Sequence, residues 1–219
     1  MEQSKKRKAL NYIVGALILL FMLIGMVSTV RFVGSHVRHL SLREQQREQY
    51  RTMLRPVVMN DPAAFDDVSL ANPDELLSIA IWNILLQNPD PDRYDFTDGQ
   101  MLLPQTEVEE SLQTLFGTDV AVKHTTVDGG GVTFSYAEKK RCYTIPITGI
   151  TPTYAPRIDE MVVSGDRVVL TVGYLSGEDF TQNEKGEIVE PEPAKRMRIT
   201  LRRGTENQLF ISAIQDIHS

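Results

Sequence analysis

The chain of 219 residues carries 23 Lys and Arg against 29 Asp and Glu, and its net charge of −6 hides a sharp division. Residues 56–219 hold 13 basic and 26 acidic side chains, net −13, whereas residues 31–55 are net +4. The acidic part lacks the basic footprint that binding of nucleic acid requires. The single cysteine, Cys142, excludes an internal disulfide and gives no sign of redox chemistry.

Ala9–Val30 is a run of 22 residues without a charge, directly behind Lys5, Lys6, Arg7 and Lys8. As a helix it would extend about 33 Å, enough to cross a hydrocarbon core of about 30 Å. It is longer than a secretory h-region, and Arg31, Phe32 and Val33 offer no small-residue cleavage site, so a retained anchor is expected. The expected organisation is a basic cytoplasmic tail at 1–8, a transmembrane helix at 9–34, a helical stalk at 35–55 and an extracytoplasmic domain at 56–219. Arginines also follow the apolar run, so positive-inside counting is nearly balanced. The orientation rests on the short basic tail, which resists translocation.

The stalk is polar and free of breakers, with Glu44–Arg47 and Glu48–Arg51 as i,i+3 pairs. A heptad seam through Val37, Leu40, Glu44, Arg47, Arg51 and Leu54 is too polar for a coiled coil. The helix is expected to dock its last turn on the domain and to end at Pro56. The lipid bilayer is thus the first expected partner. The Arg-rich stalk suits anionic headgroups, since juxtamembrane basic residues contribute about 1 kcal/mol each.

Asn72-Pro73-Asp74-Glu75 supplies an N-cap, proline at N1 and an acid at N3, and "LLSIAIWNILLQ" continues a deeply buried helix. "NPDPDRYDFTDGQMLLP" reads as an acidic loop. Thr106 and Glu109 form a capping-box pattern, Val108, Leu112, Leu115 and Phe116 give one apolar face, and Gly117 stands where a C-terminal cap belongs.

After Gly117 the apolar period changes to two. Strands are expected at 120–127 and 132–136 around "DGGG", and again at 141–147. "IDEMVVSGDRVVLTVGYL" is the clearest hairpin, with Gly165-Asp166 as the turn and Val163 opposite Val168, Met161 opposite Leu170. Met197, Ile199 and Leu201 alternate with Arg196, Arg198, Thr200 and Arg202, a half-buried strand, and 209–217 forms the last strand. Between Leu175 and Lys195 lies a long acidic excursion.

The search for chemistry yields little. Asp90, Asp92, Asp95 and Asp98 crowd one loop, and calcium is the alternative to a solvated turn. The EF-hand pattern fails there, because Asp95 and Met101 occupy the places of its glycine and glutamate. "DGGG" lacks the lysine and the helix of a phosphate loop. His124 is the only histidine inside the domain, and no local spacing gives it a catalytic partner. The chain therefore reads as a non-enzyme without a metal or other cofactor. Arg196, Arg198 and Arg202 share one strand face in a domain of net −13 and are the candidate binding residues. Pairing with the domain's own acids is the competing account.

Anchor, stalk, two helices and then antiparallel strands imply an α+β fold with helices packed on a curved antiparallel sheet. This order resembles the nuclear-transport-factor-2-like or cystatin-like fold. The phrases "AFDD", "LLSIAIW", "DGQMLLP", "LFG" and "ITGITPTYAPRIDEM" resemble an uncharacterised group of single-pass envelope proteins of Gram-positive bacteria. That resemblance implies a place in the cell envelope and no activity. Two functional classes follow: an interaction or scaffold module with a protein partner, and a sensor or carrier using the concave sheet as a ligand pocket.

Overall fold

The computed structural model describes residues 43–217 except 88, 119, 121, 147–151 and 206. The expected tail, transmembrane helix and residues 35–42 of the stalk lie outside the described residues. Among those described, no helix is long and apolar enough to cross a membrane. The chain forms two compact units, Met1–Glu48 and Gln49–Ser219. The first is described only at 43–48, which is helical.

Helix α1 (residues 43–60) runs through Pro56, against the expectation that proline would end it. Proline removes one helical hydrogen bond. Leu54, Val57, Val58 and Met59 bury this last stretch in the core and hold it helical. Asn60 Nδ2 caps it by donating to the Pro56 carbonyl, and Asp61 turns the chain with φ 49°.

Helix α2 (Pro73–Leu86) begins as its sequence requires, with the Asn72 side chain accepting from the Asp74 N–H at 3.1 Å. It is buried on every side from Leu76 to Trp82, as its unbroken apolar run dictates. Its few polar groups are partnered. Ser78 Oγ donates to Asn60 Oδ1, Ser111 Oγ to the Ala80 carbonyl, and Trp82 Nε1 to the Gly129 carbonyl. A Cβ at Gly129 would lie 1.7 Å from Ser78 Oγ, so only glycine fits that approach.

The acidic loop contains an unforeseen hairpin, β1 (Asp95–Thr97) and β2 (Gln100–Pro104), turned at Asp98-Gly99 with both φ angles positive. Helix α3 (Gln105–Phe116) follows at once. The Thr106 capping box is not formed: the helix starts two residues earlier, at Gln105 behind the N-cap Pro104, with no side-chain cap. Glu109 instead accepts from Gln105 Nε2 at 2.7 Å. Gly117 ends the helix as expected, but with φ 91° and ψ 168° it does not adopt the αL conformation expected of that cap.

The strands β3 (Val127–Gly129), β4 (Val132–Ala137) and β5 (Cys142–Ile145) join the first hairpin in a five-stranded antiparallel sheet of order β1-β2-β5-β4-β3. Residues 122–126 are not strand, so the expected 120–127 strand is confined to its end. A second sheet of four antiparallel strands has the order β11-β10-β7-β6, from β6 (Tyr154–Ser164), β7 (Arg167–Ser176), β10 (Lys195–Arg203) and β11 (Leu209–Asp216). The excursion carries a two-stranded ribbon, β8 (Thr181–Gln182) and β9 (Ile188–Val189).

The fold is therefore α+β with antiparallel strands, but the described strands divide between two sheets and a ribbon instead of forming one curved sheet. The Gly165-Asp166 hairpin has the expected register, with Val163 opposite Val168 and Met161 opposite Leu170. Helix α2 packs on α3 and β3, and α3 on β2 and β11, so the helices join both sheets in one core.

Candidate functional site

Strand β10 alternates as its sequence demands. Met197, Ile199 and Leu201 are buried in the core, and Arg196, Arg198 and Arg202 face outward. At about 3.3 Å per residue, the three guanidinium-bearing positions span about 20 Å. The inward rows of β7 and β10, including Leu170, Val172 and Ile199, fill the sheet's core side with side chains.

Each arginine meets a different environment. Arg196 Nε donates to Asp159 Oδ2 at 2.9 Å, and Nη2 lies 3.8 Å from Glu192. Asp159 is aimed there by a register shift between Ile158 and Glu160, where a bulge turns an extra side chain out of the ladder. Its other oxygen accepts from Arg157 Nε at 2.7 Å. Partial burial would raise the Asp159 pKa, but the donors of Arg157 and Arg196 override it and hold the carboxyl below its ordinary value. The excursion folds back onto this cluster. Arg157 Nη1 donates to the Pro191 carbonyl, and a Cβ at Gly173 would lie 3.0 Å from Pro193. Arg196 is thus partnered by the domain's own acids.

Arg198 stands opposite Thr171 and Gln215 and lines a depression of about 480 Å³ with Asp66 and Asp216. Among the described residues no carboxylate lies within 4.0 Å of it. Asp66 accepts instead from Gln215 Nε2 at 2.6 Å.

Arg202 is the direct cross-strand partner of Arg167 on one side and of Phe210 on the other. It lines a second depression, a groove of about 620 Å³ between α3 and the β10–β11 end. Asp67 shares that groove. Its carboxyl is held below the ordinary value first by the Ser69 hydroxyl and N–H, and only last by the charge of Arg202.

A second polar cluster forms on the five-stranded sheet, and sequence reasoning missed it. His124 Nε2 lies 3.1 Å from Glu109 Oε1 and its Nδ1 2.8 Å from the Tyr143 hydroxyl, while its ring stacks on Tyr136. A base between a carboxylate and a hydroxyl has the outline of a nucleophile with its activating pair. Tyr143, however, is fully buried, and burial first, then Tyr136, pushes its hydroxyl pKa up. The Tyr143 end of this network is buried and hydrogen-bonded, whereas Glu109 at the other end keeps 42% of its side chain exposed.

The four aspartates of the calcium alternative take separate local roles in the acidic segment. Asp90 caps the short 3-10 turn Pro91–Arg93 by accepting from the Asp92 N–H, Asp95 begins β1, and Asp98 occupies the hairpin turn. Among the described residues no group of three or more His, Cys, Asp or Glu is placed to hold a metal ion. Comparison of the chain with protein-family models, curated proteins and solved structures gives no match, so the reading of this arginine-bearing face rests on its geometry.

Proposed function

We propose that this chain is a membrane-anchored protein-binding module whose extracytoplasmic domain docks an acidic partner on the outward face of β10. One observation carries the docking. Arg167 and Arg202 are directly opposed across β7 and β10, and among the described residues neither has a carboxylate within 4.0 Å. Like charges in that relation destabilise a sheet. An acidic partner relieves the repulsion and adds counter-charge at Arg198, which among the described residues has no carboxylate within 4.0 Å. The filled core side of the four-stranded sheet gives the carrier alternative less support. The anchor reading draws on the uncharged run Ala9–Val30 and the poor cleavage site behind it.

The docking is tested by recovery of partners with the full-length chain from solubilised membranes. Arg198→Glu and Arg202→Glu should each abolish recovery and leave Trp82 emission unchanged, and added salt should weaken the wild-type association. Recovery indifferent to both substitutions and to salt would sink it. For the anchor, protease added to intact cells should degrade the domain and leave a short membrane fragment. A mature soluble form beginning near Ser35 would overturn that part.

A further inference from the structure

We infer that the groove between α3 and β11 takes a short extended peptide in which a carboxylate side chain neighbours a bulky apolar one. This rests on the acidic-partner reading and names what the partner must present. The groove's volume of about 620 Å³ lies within the range of about 300–1,000 Å³ that encloses a small ligand. Its apolar wall is made by Leu76, Phe116, Val120, Val122 and Phe210. Phe210 packs on Gly117, with its ring 3.2 Å from where a Cβ would sit.

Charge gives the occupant a direction. Arg202 and Arg203 line one part of the groove, with Arg167 directly opposite Arg202. Asp67, kept ionised by the Ser69 hydroxyl and N–H, offsets one of these charges, and among the described lining residues the two arginines outnumber it. The other part is the C-terminus of α3, the negative end of its dipole, which disfavours an anion. A carboxylate therefore belongs at the arginines and an apolar side chain beside Val120 and Phe210, over the buried Phe116.

The remaining lining selects a peptide over an acyl chain. Thr118 and Gln208 present polar groups to the groove. A hydrocarbon chain would desolvate them without a partner, whereas peptide N–H and C=O groups can pair with them.

The test uses the full-length chain in nanodiscs and a fluorescein-labelled hexapeptide alternating aspartate with phenylalanine. Saturable anisotropy is expected, with affinity falling at least tenfold in Arg202→Glu and in Val120→Asp, and at least tenfold when lysine replaces aspartate. Trp82 emission and melting temperature accompany each variant. Should Val120→Asp melt lower than wild type, Val120→Thr keeps the side-chain shape, and a loss of about threefold is expected. Binding lost in Arg198→Glu and Arg202→Glu but untouched by the Val120 variants, or by serine in place of phenylalanine, overturns the groove and leaves acidic docking standing. Binding indifferent to all of them, or no saturable binding to the wild-type chain, overturns both. Displacement of the peptide by dodecanoate at a lower concentration than by unlabelled peptide overturns the peptide class in favour of an acyl chain.

Discussion

Asp159 shows how one side chain decides which of the strand's arginines stays available. It is the extra residue of the β6 bulge, and it gathers Arg157 and Arg196 within 2.9 Å. Removing the carboxylate would leave two guanidinium groups together under the returning excursion. The sign of its pH dependence follows from its depressed pKa. A carboxyl whose folded value lies below its unfolded value of about 4 stabilises fully above that value, and the contribution fades as pH falls through the folded one. Asp159→Asn should therefore lower the melting temperature at neutral pH and flatten the loss of stability as pH falls below about 4. Thermal melts of both proteins across that window check it, and parallel acid limbs would count against the cluster. The bulge itself is invisible in "RIDEMVV", because a period of two does not show where one residue is left unpaired. Arg196 could not be separated from Arg198 and Arg202 by pattern alone for that reason.

At the scale of elements, local chemistry was legible and long-range choice was not. Asn72 reads as a cap in sequence and caps in the structure, so Asn72→Ala should cost about 1 kcal/mol in urea denaturation. A cost near zero would mean that the buried run after Leu76 holds the helix start without it. The Gly165-Asp166 register and the β10 alternation were readable on the same terms, since turn chemistry and period two act over a few residues. The Thr106 box failed because Glu109 had better partners: Gln105 at 2.7 Å and, from another part of the chain, His124. The Asp98-Gly99 turn was a hairpin signal hidden among acids that also read as a solvated loop. His124 meets Glu109 and Tyr143 across 15 and 19 residues only because α3 and β5 bring them there. No spacing rule contains that contact. The division into two sheets likewise depends on which strands pair, which alternation does not encode.

For the whole molecule, the start of the folded unit matters most. Sequence placed it at Pro56, but the compact unit begins at Gln49, and Leu54 has no exposed surface. Tyr50 and Met53 pack on the same core. The expected stalk is therefore, in its last two turns, a wall of the domain. Two truncations separate the accounts. Residues 49–219 should melt cooperatively, with no change on adding chelator or reductant, because one apolar core joins the helices to both sheets and the single cysteine forms no internal disulfide. Residues 56–219 lose Leu54, and deleting one buried leucine side chain costs about 2–5 kcal/mol. The Arg51–Glu190 pair, 4.0 Å apart and largely exposed, adds little to that difference. The shorter chain should thus unfold at a clearly lower urea concentration or fail to fold. If both chains share one midpoint, residues 49–55 are a linker after all. The anchor would then join the domain through a free stalk, with no part of that helix needed for folding.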